Sequence, residues 1–348
     1  MYKKIGVCGV FGEGPTFSGG QPVKVKTTIR MFSDYYGEKN IVALNTANWK
    51  KHPIKMFINC LKLAAKCKCI IILPAHKGLR VFLPLFLSLQ KIFKFKFIYS
   101  VIGGWLPEKA LNSTKLVKQL KKVDEIWVET QTMKNGLQKL GVYNTRLIPN
   151  VKYLNAVAKS KIEENSNILR CCTFSRVIKE KGIEDAIKAV ESLNELDNGS
   201  VMLDIYGPIF DGYRKEFERI ISKSSSCIQY KGCVDPTESV SILSQYDLQI
   251  FPTHYKTEGV PGSIIDSYAS AVPVVSSRWN SFSDIIEENV TGLGYEMGNV
   301  EDLEKKLLEL SQNRYKLIEM SKQCLELYNN RYNPKKLMED VIGDVLWD

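Results

Sequence analysis

Short apolar runs alternate with longer amphipathic stretches along almost the whole chain. Residues 5–10, 41–44, 69–73, 97–101, 125–128 and 146–148 are brief apolar runs and read as strands. Between them, residues 23–36, 53–66, 80–93, 116–122 and 132–140 carry apolar positions at helical spacing. A polar stretch, 158–167, follows and contains Lys159, Lys161, Glu163 and Glu164 with little to bury. The rhythm then restarts. Strands are expected at 169–174, 201–206, 228–230, 248–251 and 273–276, and helices at 183–193, 213–223, 240–245 and 263–270. Two amphipathic helices, 301–313 and 316–328, complete this half, and Asn333-Pro334 breaks the pattern.

Strand–helix alternation of this kind implies a parallel sheet with helices on both faces. The expected fold class is α/β, with two doubly wound domains. These are an amino-terminal domain over 1–157 and a carboxy-terminal domain over 168–333, with 158–167 as linker. The last helix, 334–348, is expected to pack back on the first domain. Open parallel sheets bind ligands outside the carboxyl ends of their strands, so the strand-end loops are where chemistry is sought.

Composition narrows the class. A chain of 348 residues with 44% apolar content can bury a core in each half. No run of eighteen apolar residues exists; the nearest, 81–101, is interrupted by Lys91, Lys94 and Lys96. The start, Met1-Tyr2-Lys3-Lys4 before an apolar run, superficially matches a signal peptide. The run is short, contains Gly6 and Gly9, and meets Glu13 without a cleavage signal, so a first strand is the reading adopted. Nine cysteines are scattered without a C-x-x-C pair, and the three histidines lie far apart. A disulfide framework and a metal cluster are not expected; reduced core thiols in a cytoplasmic protein are.

The net charge of +10 conceals an asymmetry. Residues 1–150 hold 25 Lys/Arg against 7 Asp/Glu, and residues 151–348 hold 23 against 31. A basic half suits an anionic membrane surface, a phosphorylated substrate or nucleic acid. Near an anionic leaflet each Lys or Arg gains about 1 kcal/mol, so a peripheral membrane location is expected; the Leu/Phe-rich helix near 82–89 would be its apolar element, but its pattern reads first as core. The alternative for the basic half is a solvated surface. No nucleic-acid motif is present, and Phe93, Phe95 and Phe97 alternate as core residues of a strand would.

Two segments carry the chemistry. The first runs Phe251-Pro252-Thr253-His254-Tyr255-Lys256-Thr257-Glu258-Gly259-Val260-Pro261-Gly262-Ser263 after a buried strand and opens a helix. Gly259 and Gly262 allow close backbone approach, and unpaired helix amides from Gly262 onward favour an anion. Glu258 precedes the helix and Asp266 lies one turn inside it. Two such acids can bond hydroxyls at two ends of one ligand, or simply cap a helix. In the second, Arg176 and Lys181 leave the strand end Cys172-Thr173-Phe174-Ser175 ahead of Gly182. Cations there would meet a departing diphosphate, at about 1.5–3 kcal/mol per charge-assisted hydrogen bond.

Together these segments resemble glycosyltransferase family 4, a retaining family of the GT-B fold with two facing Rossmann-like domains and a cleft between them. Arg176 to Gly182 is similar to the family's S-R-x4-K-G element, and Glu258 to Asp266 to its E-x7-E element, with Asp in place of the second Glu. Asp204-Ile205-Tyr206-Gly207-Pro208, Ala271-Val272-Pro273-Val274-Val275 and Thr291-Gly292 fit its remaining order. The likeness covers roughly residues 169–303. It implies that Arg176 and Lys181 hold the donor diphosphate and Glu258 contacts the transferred sugar. Asp266 would bind the ribose, and Gly20, Gly207, Gly259, Val260, Pro261, Gly262 and Ser263 would line the donor.

The amino-terminal half resembles the family more loosely. Phe17-Ser18-Gly19-Gly20-Gln21 stands where the family has a Gly-rich loop, which Glu13-Gly14 would extend. Gly9, Gly12 and Gly14 do not form a dinucleotide fingerprint. Gln21, Gly103, Gly104 and Trp105 are the acceptor-side candidates, with His76 at a different strand end. The implied function is retaining transfer from a nucleotide-diphosphate sugar, a UDP-sugar, to a glycan or polyprenyl-linked acceptor in cell-envelope or capsular polysaccharide synthesis. No metal and no cofactor are implied. A nucleotide-sugar epimerase and a non-catalytic nucleotide-sugar binding protein are the alternatives.

Overall fold

In the computed structural model, which describes residues 4–12, 19–158, 167–196 and 200–343, twelve strands form two parallel sheets of six. The loop residues Glu13, Gly14, Phe17 and Ser18, most of the expected linker and the last five residues lie outside the described residues. The chain divides into two units, Met1–Tyr153 with Arg331–Asp348, and Leu154–Asn330.

The first unit contains β1 (Ile5–Gly9), β2 (Ile41–Asn45), β3 (Cys69–Leu73), β4 (Lys96–Ser100), β5 (Glu125–Val128) and β6 (Thr145–Leu147), in the order β2-β1-β3-β4-β5-β6. Strands in a fully covered parallel sheet read as unbroken apolar runs because both faces are buried. The two faces separate by residue parity. Ile70, Ile72, Phe97, Tyr99, Ile126 and Val128 pack on one side, with residues of the helices Pro53–Lys66 and His76–Phe93. Cys69, Ile71, Leu73, Ile98 and Trp127 pack on the other, with residues of the helix Gly20–Tyr36. Leu337, Met338 and Ile342 of the terminal segment join this second face, and the Tyr36 hydroxyl donates to the Gly343 carbonyl at 2.7 Å.

The helix at 82–89 is therefore core, as its pattern first reads, and is not available as a membrane element. Phe82, Leu83, Phe86 and Leu89 are all buried, because the stripe that carries them faces the sheet. Phe95 and Phe97 are core as expected, whereas Phe93 closes the helix His76–Phe93 rather than entering the strand. Seven of the nine cysteines are buried; Cys227 is half-buried and Cys233 is exposed.

The second unit contains β7 (Leu169–Phe174), β8 (Val201–Tyr206), β9 (Ile228–Gly232), β10 (Leu248–Phe251), β11 (Val274–Ser277) and β12 (Gly292–Tyr295), in the order β12-β11-β10-β7-β8-β9. Leu169, Cys171, Leu203, Ile205, Leu248 and Ile250 pack with Ile183, Ile187 and Val190 of the helix Ile183–Leu196 and with Leu303 and Leu307 of the helix Val300–Gln312. Both sheets reverse direction beside their first strand, between β1 and β3 in one and between β7 and β10 in the other. Those reversals open a crevice at the carboxyl ends of the strands.

Candidate functional site

The segments singled out in the second unit leave the two strands that flank its reversal. After β7 come Ser175, Arg176 and a tight turn, Lys179–Lys181, that ends at Gly182. After β10 comes a loop through Glu258 to the helix Gly262–Ala269. The two loops are laced together. The His254 amide donates to the Glu180 carbonyl at 2.8 Å, and His254 Nε2 lies 2.7 Å from Asp185 Oδ2. Gly182 takes φ +63°, and a Cβ there would lie 1.9 Å from the Pro252 carbonyl oxygen. Only glycine allows both that backbone angle and that approach.

The lacing brings Lys181 to Glu258, 77 residues away in sequence. Lys181 Nζ donates to Glu258 Oε1, and Thr253 Oγ1 donates to the same oxygen at 3.1 Å. Their side chains are 11% and 17% exposed, so this ion pair is shielded while still open on one side. The ammonium also lies 4.9 Å from the Phe251 ring centroid and 5.5 Å from that of Tyr255, within cation–π range. The Arg176 side chain is exposed and makes no hydrogen bond or ion pair among the described residues; its carbonyl accepts the Ser175 hydroxyl at 3.3 Å. Burial raises the Tyr255 phenol pKa, Glu180 and Glu258 raise it further, and Arg176 opposes them. Tyr255 thus keeps its proton while feeling the charges of both Arg176 and Glu258.

The helix Gly262–Ala269 begins without a side-chain cap at Pro261 and without an acid in its first turn. The Ile264 and Ile265 amides already donate to the Pro261 carbonyl. Among the described residues the Gly262 and Ser263 amides have no hydrogen-bond partner, so the open donors are fewer than expected. Gly259 and Val260 are buried beneath this end. Asp266 is buried on the same helix, and its charge raises the pKa of the Tyr328 hydroxyl after burial has done so. Gly207 takes φ +136°, and a Cβ there would lie 1.8 Å from the Ser175 carbonyl oxygen. Its amide donates to the Gly232 carbonyl and its own carbonyl accepts the Tyr230 hydroxyl, so it offers chiefly space.

The first unit gathers its candidates at its own reversal. Gln21 Nε2 donates to the Leu73 carbonyl at 2.9 Å, tying the start of its helix to the end of β3. His76 follows β3 and Trp105 follows β4. Because these strands are neighbours, the two rings stack at 3.7 Å. The sequence reading separated them; the pairing of β3 with β4 joins them. Gly103 takes φ +74° in the turn before Gly104, and the Trp105 indole donates to the Ile102 carbonyl at 2.7 Å. Lys109 donates to the His76 carbonyl at 3.1 Å and lies 4.8 Å from the Trp105 ring centroid. Gly20 opens the helix Gly20–Tyr36 in open space, so sterics do not demand glycine there.

Thr253, His254, Asp185 and Lys109 shape these sites and were not assigned roles from sequence. Thr253 and His254 lay inside the first segment, where their position next to Glu258 was the available signal. Asp185 and Lys109 gave none, since their partners are brought in by strand order. Among the described residues, no group of three or more His, Cys, Asp or Glu is placed to hold a metal ion, and no helix is long and apolar enough to cross a membrane.

The sequence profile of the glycosyl transferases group 1 family matches residues 155–330. A relative in Erwinia amylovora, the amylovoran biosynthesis glycosyltransferase AmsK, is 27% identical over 150 residues, 41% of this chain and 36% of that protein. An uncharacterized glycosyltransferase of Methanocaldococcus jannaschii is 22% identical over 205 residues, 56% of this chain and 50% of that protein. The chain thus spans half or less of the length of these curated relatives. Among solved structures, Anabaena HepE in complex with UDP superposes with a TM-score of 0.75 at 14% identity, over 98% of this chain and 100% of that one. The two six-stranded parallel sheets with flanking helices match the GT-B fold.

Proposed function

This chain belongs to the glycosyl transferases group 1 family, and from that premise we propose that it transfers a hexosyl group, with retention, from a UDP-sugar to a glycan or polyprenyl-linked acceptor. The finer assignment to family 4 and to polysaccharide synthesis rests on the motif order and on the likeness to AmsK, a glycosyltransferase of amylovoran biosynthesis. UDP as the nucleotide rests on the complex formed by HepE. The names of the family and of its relatives favour transfer over epimerisation and over a site without chemistry.

The observation that carries the reading is the shielded Lys181–Glu258 pair at the sheet reversal, beside an unpaired Arg176. Lys181 uses one N–H on Glu258 and keeps two for phosphate oxygens. Arg176 supplies a second cation, and the Gly262 and Ser263 amides supply donors. As the bond from the anomeric carbon to the diphosphate breaks, charge grows on the phosphate oxygens, and these groups bind it more strongly than they bind the ground state. The acceptor oxygen bonds to the anomeric carbon on the face the diphosphate leaves, and its proton passes to a phosphate oxygen. The products are UDP and the glycoside. Glu258 orients the sugar, and Asp266 accepts from the ribose. Gln21, His76, Gly103, Gly104 and Trp105 form the acceptor side, where a stacked ring pair offers a flat apolar face to a pyranose. The basic first unit favours work at an anionic membrane surface.

Replacing Glu258 by Gln or Lys181 by Ala is expected to lower turnover at least about 100-fold, with circular dichroism unchanged. Donor consumption and glycoside formation are the readouts. Turnover within a few-fold of the parent in either variant would remove these residues from the site.

A further inference from the structure

The helix Pro53–Lys66 buries only Cys60, Leu63 and Ala64. Met56 and Leu61 are half-buried against the same core, and the other large apolar side chains of the helix are exposed. Ile54 is 75% exposed, Phe57 47% and Ile58 44%. At 3.6 residues per turn these three fall in one stripe with Leu61 and the exposed Ala65, which runs from the edge of the core-facing residues out to solvent. Lys55, Lys62 and Lys66 form a row along the flank of that stripe, and all three are exposed. Lys50 and Lys51, also exposed, precede the helix. The apolar arc of this helix is therefore wider than the core covers, and its outer part faces solvent.

The surrounding charge is one-signed. Residues 39–107 contain twelve Lys or Arg and no Asp or Glu. An exposed apolar stripe edged by lysines is costly in water, and an acid-free segment around it repels itself. Both features become favourable against a surface that is apolar below and anionic above. Phe and Ile side chains enter the acyl boundary, while lysine stems lie along it and place their ammonium groups among the phosphates.

We infer that the helix Pro53–Lys66 docks the protein in the plane of an anionic lipid bilayer, with Ile54, Phe57 and Ile58 inserted and the lysine row on the headgroups. This deepens the membrane-surface part of the proposed function. It moves the apolar element from residues 82–89, which are core, to a helix whose apolar excess is on the outside. A single stripe of this length binds reversibly and needs both terms, apolar and electrostatic.

The test uses the full chain and vesicles of equal parts phosphatidylcholine and phosphatidylglycerol at low salt, read by co-sedimentation without donor or acceptor. The parent chain is expected to sediment with these vesicles, to stay free with pure phosphatidylcholine, and to be released as salt shortens the screening length. The variant Ile54→Ser/Phe57→Ser/Ile58→Ser is expected to lose partitioning by about 100-fold or more. Lys55→Gln/Lys62→Gln/Lys66→Gln is expected to lose about 100-fold, from about a factor of five per lysine. All six side chains are exposed, so both variants should keep the parent circular dichroism and melting temperature.

Failure of the parent to sediment would overturn the proposal, as would full binding by either variant. Equal binding to pure phosphatidylcholine would overturn the anionic assignment. Sedimentation velocity supplies another overturning outcome: a parent dimer that the triple serine variant dissociates would mean that a second copy covers the stripe. Because binding is read without turnover, its failure leaves the transfer reading standing, and an inactive chain that binds vesicles leaves this inference standing.

Discussion

At the residue scale, an ion pair more deeply buried than Lys181–Glu258 lies outside the donor loops. Lys24 Nζ sits 2.5 Å from Glu129 Oε1 and donates to the Val101 carbonyl at 2.7 Å, with both side chains under a tenth exposed. Lys24 is one turn beyond Gln21, Val101 follows β4 and Glu129 follows β5, so one ammonium ties the helix start to two strand ends. Breaking a buried pair leaves a charge without compensation. Lys24→Met is therefore expected to cost about 3–5 kcal/mol in denaturant unfolding, and Lys24→Met/Glu129→Leu to recover most of it. A single variant as stable as the parent would show that the pair contributes nothing. His76 makes a prediction of opposite character. Burial lowers its pKa below 6.5, and Lys109 lowers it further. Between the folded value and 6.5 the unfolded chain holds more protons, so this group's contribution is full above pH 6.5. It declines as pH falls to the folded value and is constant below. An imidazole NMR titration with its midpoint below 6.5 checks the sign; a midpoint at or above it would cancel the effect.

At the element scale, the donor loops depend on a close approach of backbones rather than on side-chain packing. Gly182→Ala would place a Cβ against the Pro252 carbonyl at a positive φ, and is expected to cost about 2–3 kcal/mol and to lower turnover by displacing Lys181. Gly20→Ala, with nothing near its Cβ, is expected to stay within about 0.5 kcal/mol. Equal effects in the two variants, read by thermal unfolding, would sink the distinction. The same elements show what a one-dimensional pattern carries. Cys69–Leu73 and Leu248–Phe251 were readable because strands covered on both faces are apolar throughout. The helix at His76 starts four residues earlier than its apolar spacing suggested, since Ala75 gives no capping signal. β12 was missed because two glycines in Gly292–Tyr295 hide a strand whose neighbour, β11, supplies its bonds. The donor motifs were legible because each is contiguous. The stacking of His76 on Trp105 and the bond of His254 to Asp185 were not, because both depend on which strands lie side by side.

At the scale of the whole molecule, the chain passes between its two units only near residues 153 and 331, and the charge divides along nearly the same line. The donor residues Arg176, Lys181, Glu258 and Asp266 all belong to the second unit, so nucleotide binding should act first on that unit's own opening equilibrium. At a free UDP concentration near 100 times its dissociation constant, mass action adds about 2.7 kcal/mol to a unit that binds only when folded. The slowest-exchanging amides of β7 and β10 report that unit's global opening, and those of β3 and β4 report the other's. With saturating UDP, exchange in β7 and β10 is expected to slow by about 100-fold, while exchange in β3 and β4 changes little. Lys181→Ala should weaken the slowing at fixed UDP without changing exchange in the absence of nucleotide by more than its own effect on stability. Equal slowing in both sheets would mean that the units open as one, and slowing confined to β3 and β4 would move the nucleotide to the first unit. Only the second result would separate the nucleotide site from the motif order that first suggested it, because that order lies wholly within residues 169–303.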